Sequence, residues 1–241
     1  MQTKSSDQPL IELTDIRFFW PQSKRPVIDL QQLSFYKTEN VFIRGASGSG
    51  KSTLLNIIGG VLPVQQGTVR VLGHNISQLS AAARDKLRAN HIGFIFQQFN
   101  LIPYLSILEN VVLPCRFSRI RSDRSIKRSG SVESEARYLL SHLYGDSGPD
   151  LNQRATDLSV GQQQRVAAAR ALMGQPELII ADEPTSSLDI DTRQVFMKLL
   201  FEEVKHSNST LLFVSHDPAH QALFDSCMSM NSINHTSRVV V

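Results

Sequence analysis

The sequence predicts an α/β fold built on a largely parallel sheet, and three observations carry that expectation. Short apolar runs that read as strands alternate with stretches of helical spacing, the order that covers a parallel sheet on both faces. One such run, 41–44, empties into a glycine-rich loop that leads straight into a helix. Another, 178–181, ends in two adjacent carboxylates, Asp182 and Glu183.

Along the chain, 11–19 alternates apolar and polar residues in part and opens the strand series. Strand 41–44 follows, then a helix over 52–58 that Gly59 and Gly60 close. Further short strands are expected at 68–72 and 92–96. From Ser106 to about Ser141 the apolar spacing is helical, so the stretch from about 98 to 160 reads as a helical insertion. Strand character returns at 178–181 and 210–215, each preceded by a helix, and no internal repeat is visible.

With 241 residues, 41% hydrophobic and 20% charged, the chain has the make-up of an ordinary globular protein. Cys115 and Cys227 are too few for a disulfide framework and lack metal-ligand spacing. The polar start, 1–10, does not resemble a signal peptide, and no run reaches the ~18 to 20 apolar residues that cross a bilayer. A net charge of +3 is too small to argue for nucleic acid. One segment is locally basic: Arg116, Arg119, Arg121, Arg124, Lys127 and Arg128 face only Asp123. It reads either as a solvated surface or as a contact for anionic lipid headgroups or an acidic partner.

Gly45, Ala46, Ser47, Gly48, Ser49, Gly50, Lys51 and Ser52 fit G-x-x-x-x-G-K-[ST], and Thr53 follows. Glycines let the backbone curl so that successive N–H groups face a phosphate, and the helix that begins here adds its positive end. Lys51 supplies a charge for the β- and γ-phosphates, and the Ser52 hydroxyl suits Mg²⁺. At the end of strand 178–181, Asp182 suits the same metal and Glu183 suits a general base that polarises water. The pair could instead cap a following helix. Further back, Ser159 and Gln162 have capping-box spacing ahead of a strong helix former, 163–172. Such a capped, glycine-containing start, with Val160 and Gly161 inside it, is an ordinary N-cap or a second anion site.

The ordered set of phosphate loop, Gln97 after an apolar strand, Leu158–Gln162, 178–183, 186–189 and Ser215–Asp217 resembles the ABC (ATP-binding cassette) ATPase family, from Ile11 to about Phe224. The resemblance implies a single ABC ATPase domain over 1–241. Its P-loop NTPase (RecA-like) core, mainly parallel with an antiparallel β part, would occupy about 10–97 and 161–225, and a helical subdomain about 98–160. It implies ATP and Mg²⁺ as ligands, with Ser52, Gln97 and Asp182 at the metal. Glu183, His216 and Gln97 are the implied catalytic residues. Trp20 stands where the family stacks an aromatic on adenine, with Phe18 and Phe19 as alternatives and a core role open for all three. Ser159, Val160, Gly161 and Gln162 match the signature that meets the γ-phosphate held by a second copy, and Asp189 matches the loop linking the two sites.

Within the family the chain looks most like the ATPases of lipoprotein release, macrolide export and the cell-division complex, through 52–60, 92–97 and 100–103. That likeness implies a homodimer powering a separately encoded transmembrane permease, for export or extraction of a lipophilic or envelope substrate. The expected location is cytoplasmic, peripheral on the inner face of the membrane, and no nucleic acid is expected. A soluble ABC ATPase acting on nucleic acid or ribosomes is the rival reading, and the two cassettes, coiled coil or zinc module usual there are missing from this sequence. Three positions depart from the family pattern: Val160 replaces a glycine, Ser187 an alanine, and 228–235 the usual C-terminal strand pair. A β-branched residue disfavours positive φ, so Val160 is expected at an ordinary negative φ.

Overall fold

A computed structural model describes residues 8–144 and 149–236. It divides into two compact units, one made of the chain up to Asp85 together with the chain from Leu212 on, the other of Lys86–Leu211.

In the first unit, β1 (Ile11–Phe18) pairs antiparallel with β2 (Ile28–Phe35) on one side and β4 (Gln66–Val71) on the other, and β5 (His74–Asn75) extends the edge. This is the antiparallel part that the family resemblance implies. Ile11, Leu13, Ile16 and Phe18 are buried, so the inward face changes parity between Leu13 and Ile16. A bulge between Thr14 and Arg17 takes up the extra residue, with Asp15 at φ 50°. Gly67 faces that bulge, where any Cβ would stand 2.4 Å from the Asp15 carbonyl oxygen, so only glycine fits. β2 escapes sequence reading because Gln31 and Gln32 interrupt its alternation in the same way.

The remainder of this unit is parallel. β3 (Asn40–Arg44) lies between β8 (Thr210–Ser215) and β9 (Ser226–Ser229), and α1 (Lys51–Ile58) follows β3. The rings of Phe42, Phe213 and Phe224 meet at centroid distances of 5.2 to 5.9 Å and fix these strands together. A short helix, given the label α8 (Met230–Ile233), ends the described chain. The sequence gives β9 no recognisable strand signal.

In the second unit, α2 (Ala81–His91), which begins just before the division, leads into β6 (Ile92–Ile95). Three helices follow, α3 (Ile107–Phe117), α4 (Arg119–Ser129) and α5 (Val132–Tyr144). Then come α6 (Val160–Leu172), β7 (Leu178–Asp182) and α7 (Ile190–His206). β6 and β7 pair in parallel. The small residues of α6 let it lie close to its neighbours: Ala167, Ala168, Ala169 and Ala171 are buried. A Cβ on Gly93 of β6 would fall 2.2 Å from the Ala171 carbonyl oxygen.

The basic segment is only in part the exposed surface that its composition suggests. Only Arg116, Arg119 and Lys127 are exposed. Arg121 is buried and donates to the Ala171 carbonyl at 2.9 Å, and burial pulls its guanidinium down to about 10. Arg124 forks onto both oxygens of Glu177 at 2.6 and 3.1 Å. Arg128 bridges Glu135 at 3.2 Å and Glu203 at 3.1 Å, two carboxylates with 0% and 1% of their side chains exposed. These cations join α4 to α5, α6 and α7 from within. Truncating one member of a buried pair strands the other's charge, at about 3–5 kcal/mol. Arg128→Ala is therefore expected to lower stability by about that amount in urea unfolding, whereas Arg119→Ala changes it by less than about 0.5 kcal/mol.

Candidate functional site

The loop from Gly45 to Gly50 reverses the chain between two buried elements. Gly48 and Gly50 take φ 77° and 94°, values that side chains disfavour. Gly50 is also enclosed, since a Cβ there would approach Ile28 Cδ1 to 2.9 Å and the Val27 carbonyl oxygen to 3.1 Å. At Gly45 a Cβ would meet Ser49 Oγ at 2.5 Å and Met230 Cβ at 3.0 Å. Lys51, 7% exposed, folds over the loop and donates from Nζ to the carbonyls of Gly45 at 2.8 Å and Ala46 at 3.0 Å. Ser47 follows them in the same loop, and Ser52 and Thr53 continue into α1. Helix α1 thus starts with its first N–H groups directly after this loop.

Three other expected residues belong to this unit. Phe18 is core, while Trp20 is 45% exposed and rests edge-on against the Phe18 ring at 5.1 Å. Trp20 is thus an exposed aromatic with a fixed base. His216 directly follows β8 and is exposed.

In the second unit, Gln97 occupies a turn that the Phe99 N–H closes onto the Phe96 carbonyl at 3.1 Å. Phe99 and Asn100 then take φ 55° and 50°, two successive left-handed residues without glycine. Arg170 of α6 holds that conformation, donating to the carbonyls of Asn100 and Phe99 at 2.6 Å each. Burial lowers this guanidinium to about 10, which leaves it protonated at neutral pH. Asn110, fully buried, fixes the continuation by bonding Ile102, Leu105 and Ser106.

The other end of α6 carries the segment 158–162. Ser159 Oγ accepts from the Gln162 N–H at 3.3 Å, and Gln162 Oε1 accepts from the Ser159 N–H at 2.9 Å, a complete capping box. Val160 is the first helical residue, outside the positive-φ set and 48% exposed, as its β-branch requires. A Cβ on Gly161 would meet Leu188 and Thr192 only at 3.6 and 3.7 Å, ordinary contact distances, so the fold itself does not demand glycine there.

Asp182 closes β7, and Glu183 beyond it is 8% exposed with φ 48°. Neither caps the next helix. That cap is Asp189, whose carboxylate accepts from the Thr192 N–H at 2.9 Å and is held below the usual range by that bond.

A sequence profile for ABC transporters matches residues 29–186, which spans both the phosphate loop and the capped start of α6. The chain belongs to the ABC transporter family. The macrolide export ATP-binding/permease protein MacB of Shigella flexneri is 40% identical over 212 residues, which is 87% of this chain and 31% of that protein. Its counterpart in Pasteurella multocida is 38% identical over 213 residues, again 31% of its own length. The chain therefore spans less than a third of these relatives. Among solved structures, an ATP-binding cassette dimer in a post-hydrolysis state with ADP and Pi superposes with TM-score 0.80 at 34% identity, covering 91% of this chain and 93% of that one. A dimeric bacterial ABC transporter cassette does so with TM-score 0.77 at 33% identity. The fold is that of an ABC ATPase cassette.

Three residues of this cassette's site region are invisible to motif reading. Arg170 looks like one more helix-surface arginine, and Met230 and Asn234 lie in a C-terminal segment whose composition carries no motif. Their partners are distant in sequence, so only the folded chain reveals them. For the capping box, Ser159→Ala is expected to cost about 1 kcal/mol in thermal or urea unfolding. Val160→Gly, which leaves both capping bonds in place, should cost no more than about 1 kcal/mol through helix propensity.

Proposed function

We propose that this chain is the ATP-binding and ATP-hydrolysing subunit of an exporter, working as a homodimer on a separately encoded transmembrane permease. The observation that carries the reading is the built phosphate loop, with Lys51 folded onto the carbonyls of Gly45 and Ala46. On nucleotide binding, Lys51 exchanges those carbonyls for the β- and γ-phosphates, and the N–H groups opening α1 face the same charge. Trp20, exposed and braced by Phe18, takes the adenine.

Ser52 in the first unit offers a hydroxyl, and Gln97 and Asp182 in the second offer an amide oxygen and a carboxylate, oxygen donors of the kind that would hold Mg²⁺. When bound, Mg²⁺ would supply positive charge to offset that of the phosphate oxygens. Glu183 is the base: it draws the proton from a water whose oxygen bonds to the γ-phosphorus as the bond to the ADP oxygen breaks. The positive φ of a buried, non-glycine Glu183 is the kind of strain that functional positions retain. His216 orients that water and the γ-phosphate.

The second copy completes the site through Ser159, Val160, Gly161 and Gln162. An exposed helix start, with a glycine that the fold does not itself require, supports this assignment. Asp189, at the head of α7, links one site to the other. A permease partner in the membrane would hold the ATPase at the membrane's inner face. Among the described residues no helix is long and apolar enough to cross a bilayer. The likeness to the macrolide export proteins supports a lipophilic cargo moved outward.

Glu183→Gln is expected to lower turnover about 100-fold or more while ATP affinity stays within about twofold, and to accumulate an ATP-bound dimer on sizing columns. Lys51→Ala should lose ATP binding in titration. Wild-type turnover by the Glu183→Gln protein would remove the glutamate as base.

A further inference from the structure

The segment after β9 is the least motif-like part of the chain, yet it reaches the phosphate loop. Met230, 1% exposed, sets its side chain against Gly45, with Cβ and Cγ 3.0 and 3.1 Å from where a Cβ there would stand. Four residues on, Asn234 uses its whole amide. Its Nδ2 donates to the carbonyls of Val27 at 2.9 Å and Ser49 at 3.3 Å, and its Oδ1 accepts from the Asp29 N–H at 2.8 Å. The same group lies 3.6 Å from where a Cβ on Gly50 would stand. The His235 N–H adds a bond to the Asp29 carbonyl at 2.7 Å.

These contacts have a common effect. Ser49 sits between the two left-handed glycines, so its peptide is the part of the loop with least intrinsic preference for one orientation. A carbonyl fixed on the outside of a curled loop fixes the direction of the next N–H, because the peptide unit is planar. Holding Ser49 C=O outward therefore holds the Gly50 N–H in one direction.

We propose that Asn234 is a positioning residue for nucleotide binding, acting through the Ser49–Gly50 peptide of the phosphate loop, with Met230 backing Gly45. This rests on the loop's being the ATP site. It adds that nucleotide affinity is set partly from the C-terminal segment, outside the stretch that defines the family. The ligand addressed is the diphosphate common to ATP and ADP, so both nucleotides depend on the residue alike.

The test compares full-length wild type, Asn234→Ala and Asn234→Ser in titrations with Mg-ATP and with ADP, beside the thermal midpoint of the nucleotide-free protein and steady-state hydrolysis. In Asn234→Ala, Kd is expected to rise about tenfold for both nucleotides, about 1.4 kcal/mol. KM should rise in step and kcat change by less, the mark of a contact that acts equally in ground and transition states. Asn234→Ser, which keeps a donor too short to bridge both carbonyls, should show a smaller rise and serves if the alanine protein does not fold. A lowered thermal midpoint with unchanged Kd would overturn the proposal and leave Asn234 a structural tie. So would a loss confined to ATP. Failure of the wild type itself to bind either nucleotide would instead bring down the phosphate-site reading, and this inference with it.

Discussion

Between β3 and α1 the chain must turn back within a few residues, joining a buried strand to a buried helix. Two left-handed glycines make that reversal possible, but they leave the peptides between them free to rotate. Lys51 restrains the loop from inside, through the carbonyls of Gly45 and Ala46, and Asn234 and Met230 restrain it from outside. Much else in this unit serves the same turn. The bulge in β1 and the glycine opposite it keep the antiparallel sheet curved while its inward face stays apolar. The edge of β2 supplies Val27, Ile28 and Asp29, which enclose Gly50 and anchor Asn234.

The helical unit solves a different problem. A helix of small residues packs closely but presents little surface for cohesion, so α6 depends on what surrounds it. Arg121 supplies part of this by capping the Ala171 carbonyl, a group that the helix cannot satisfy near its own end. Arg124 and Arg128 carry the same grip onward to Glu177, Glu135 and Glu203. Removing carboxylates from water is costly, and here both Glu135 and Glu203 lean on one guanidinium, with Ser129 and Tyr138 as further donors. Burial nonetheless pushes the Glu135 carboxyl above the usual range. Such an arrangement stays intact only while its members stay in register, so it specifies how the helices sit as much as it stabilises them.

What could be read from the sequence was what depends on near neighbours. The phosphate loop, the capping box and the negative φ of Val160 each follow from a handful of consecutive residues, and each is found in the folded chain. Strands β3, β6, β7 and β8 were legible because near-continuous burial leaves apolar runs, and β1 because its residues alternate in part. Strand β2 was not, because Gln31 and Gln32 break its alternation. The tasks of the basic segment were hidden for another reason. Arg128 meets Glu203 across 75 residues, and Asn234 meets Ser49 across 185, so no local pattern reveals either. Composition marked the basic residues as a surface or an external contact, whereas packing turned Arg121, Arg124 and Arg128 inward.

Arg170 gives α6 a mechanical character. The helix has the capped signature start at one end and, close to the other, a guanidinium fastened to the two strained peptides that follow Gln97. Its hydrogen-bonded length, about 18 Å at 1.5 Å per residue, behaves as a stiff rod. Ser159 and the turn bearing Gln97 are therefore both fastened to the same helix. Two positions separated by more than sixty residues of chain thus share one support.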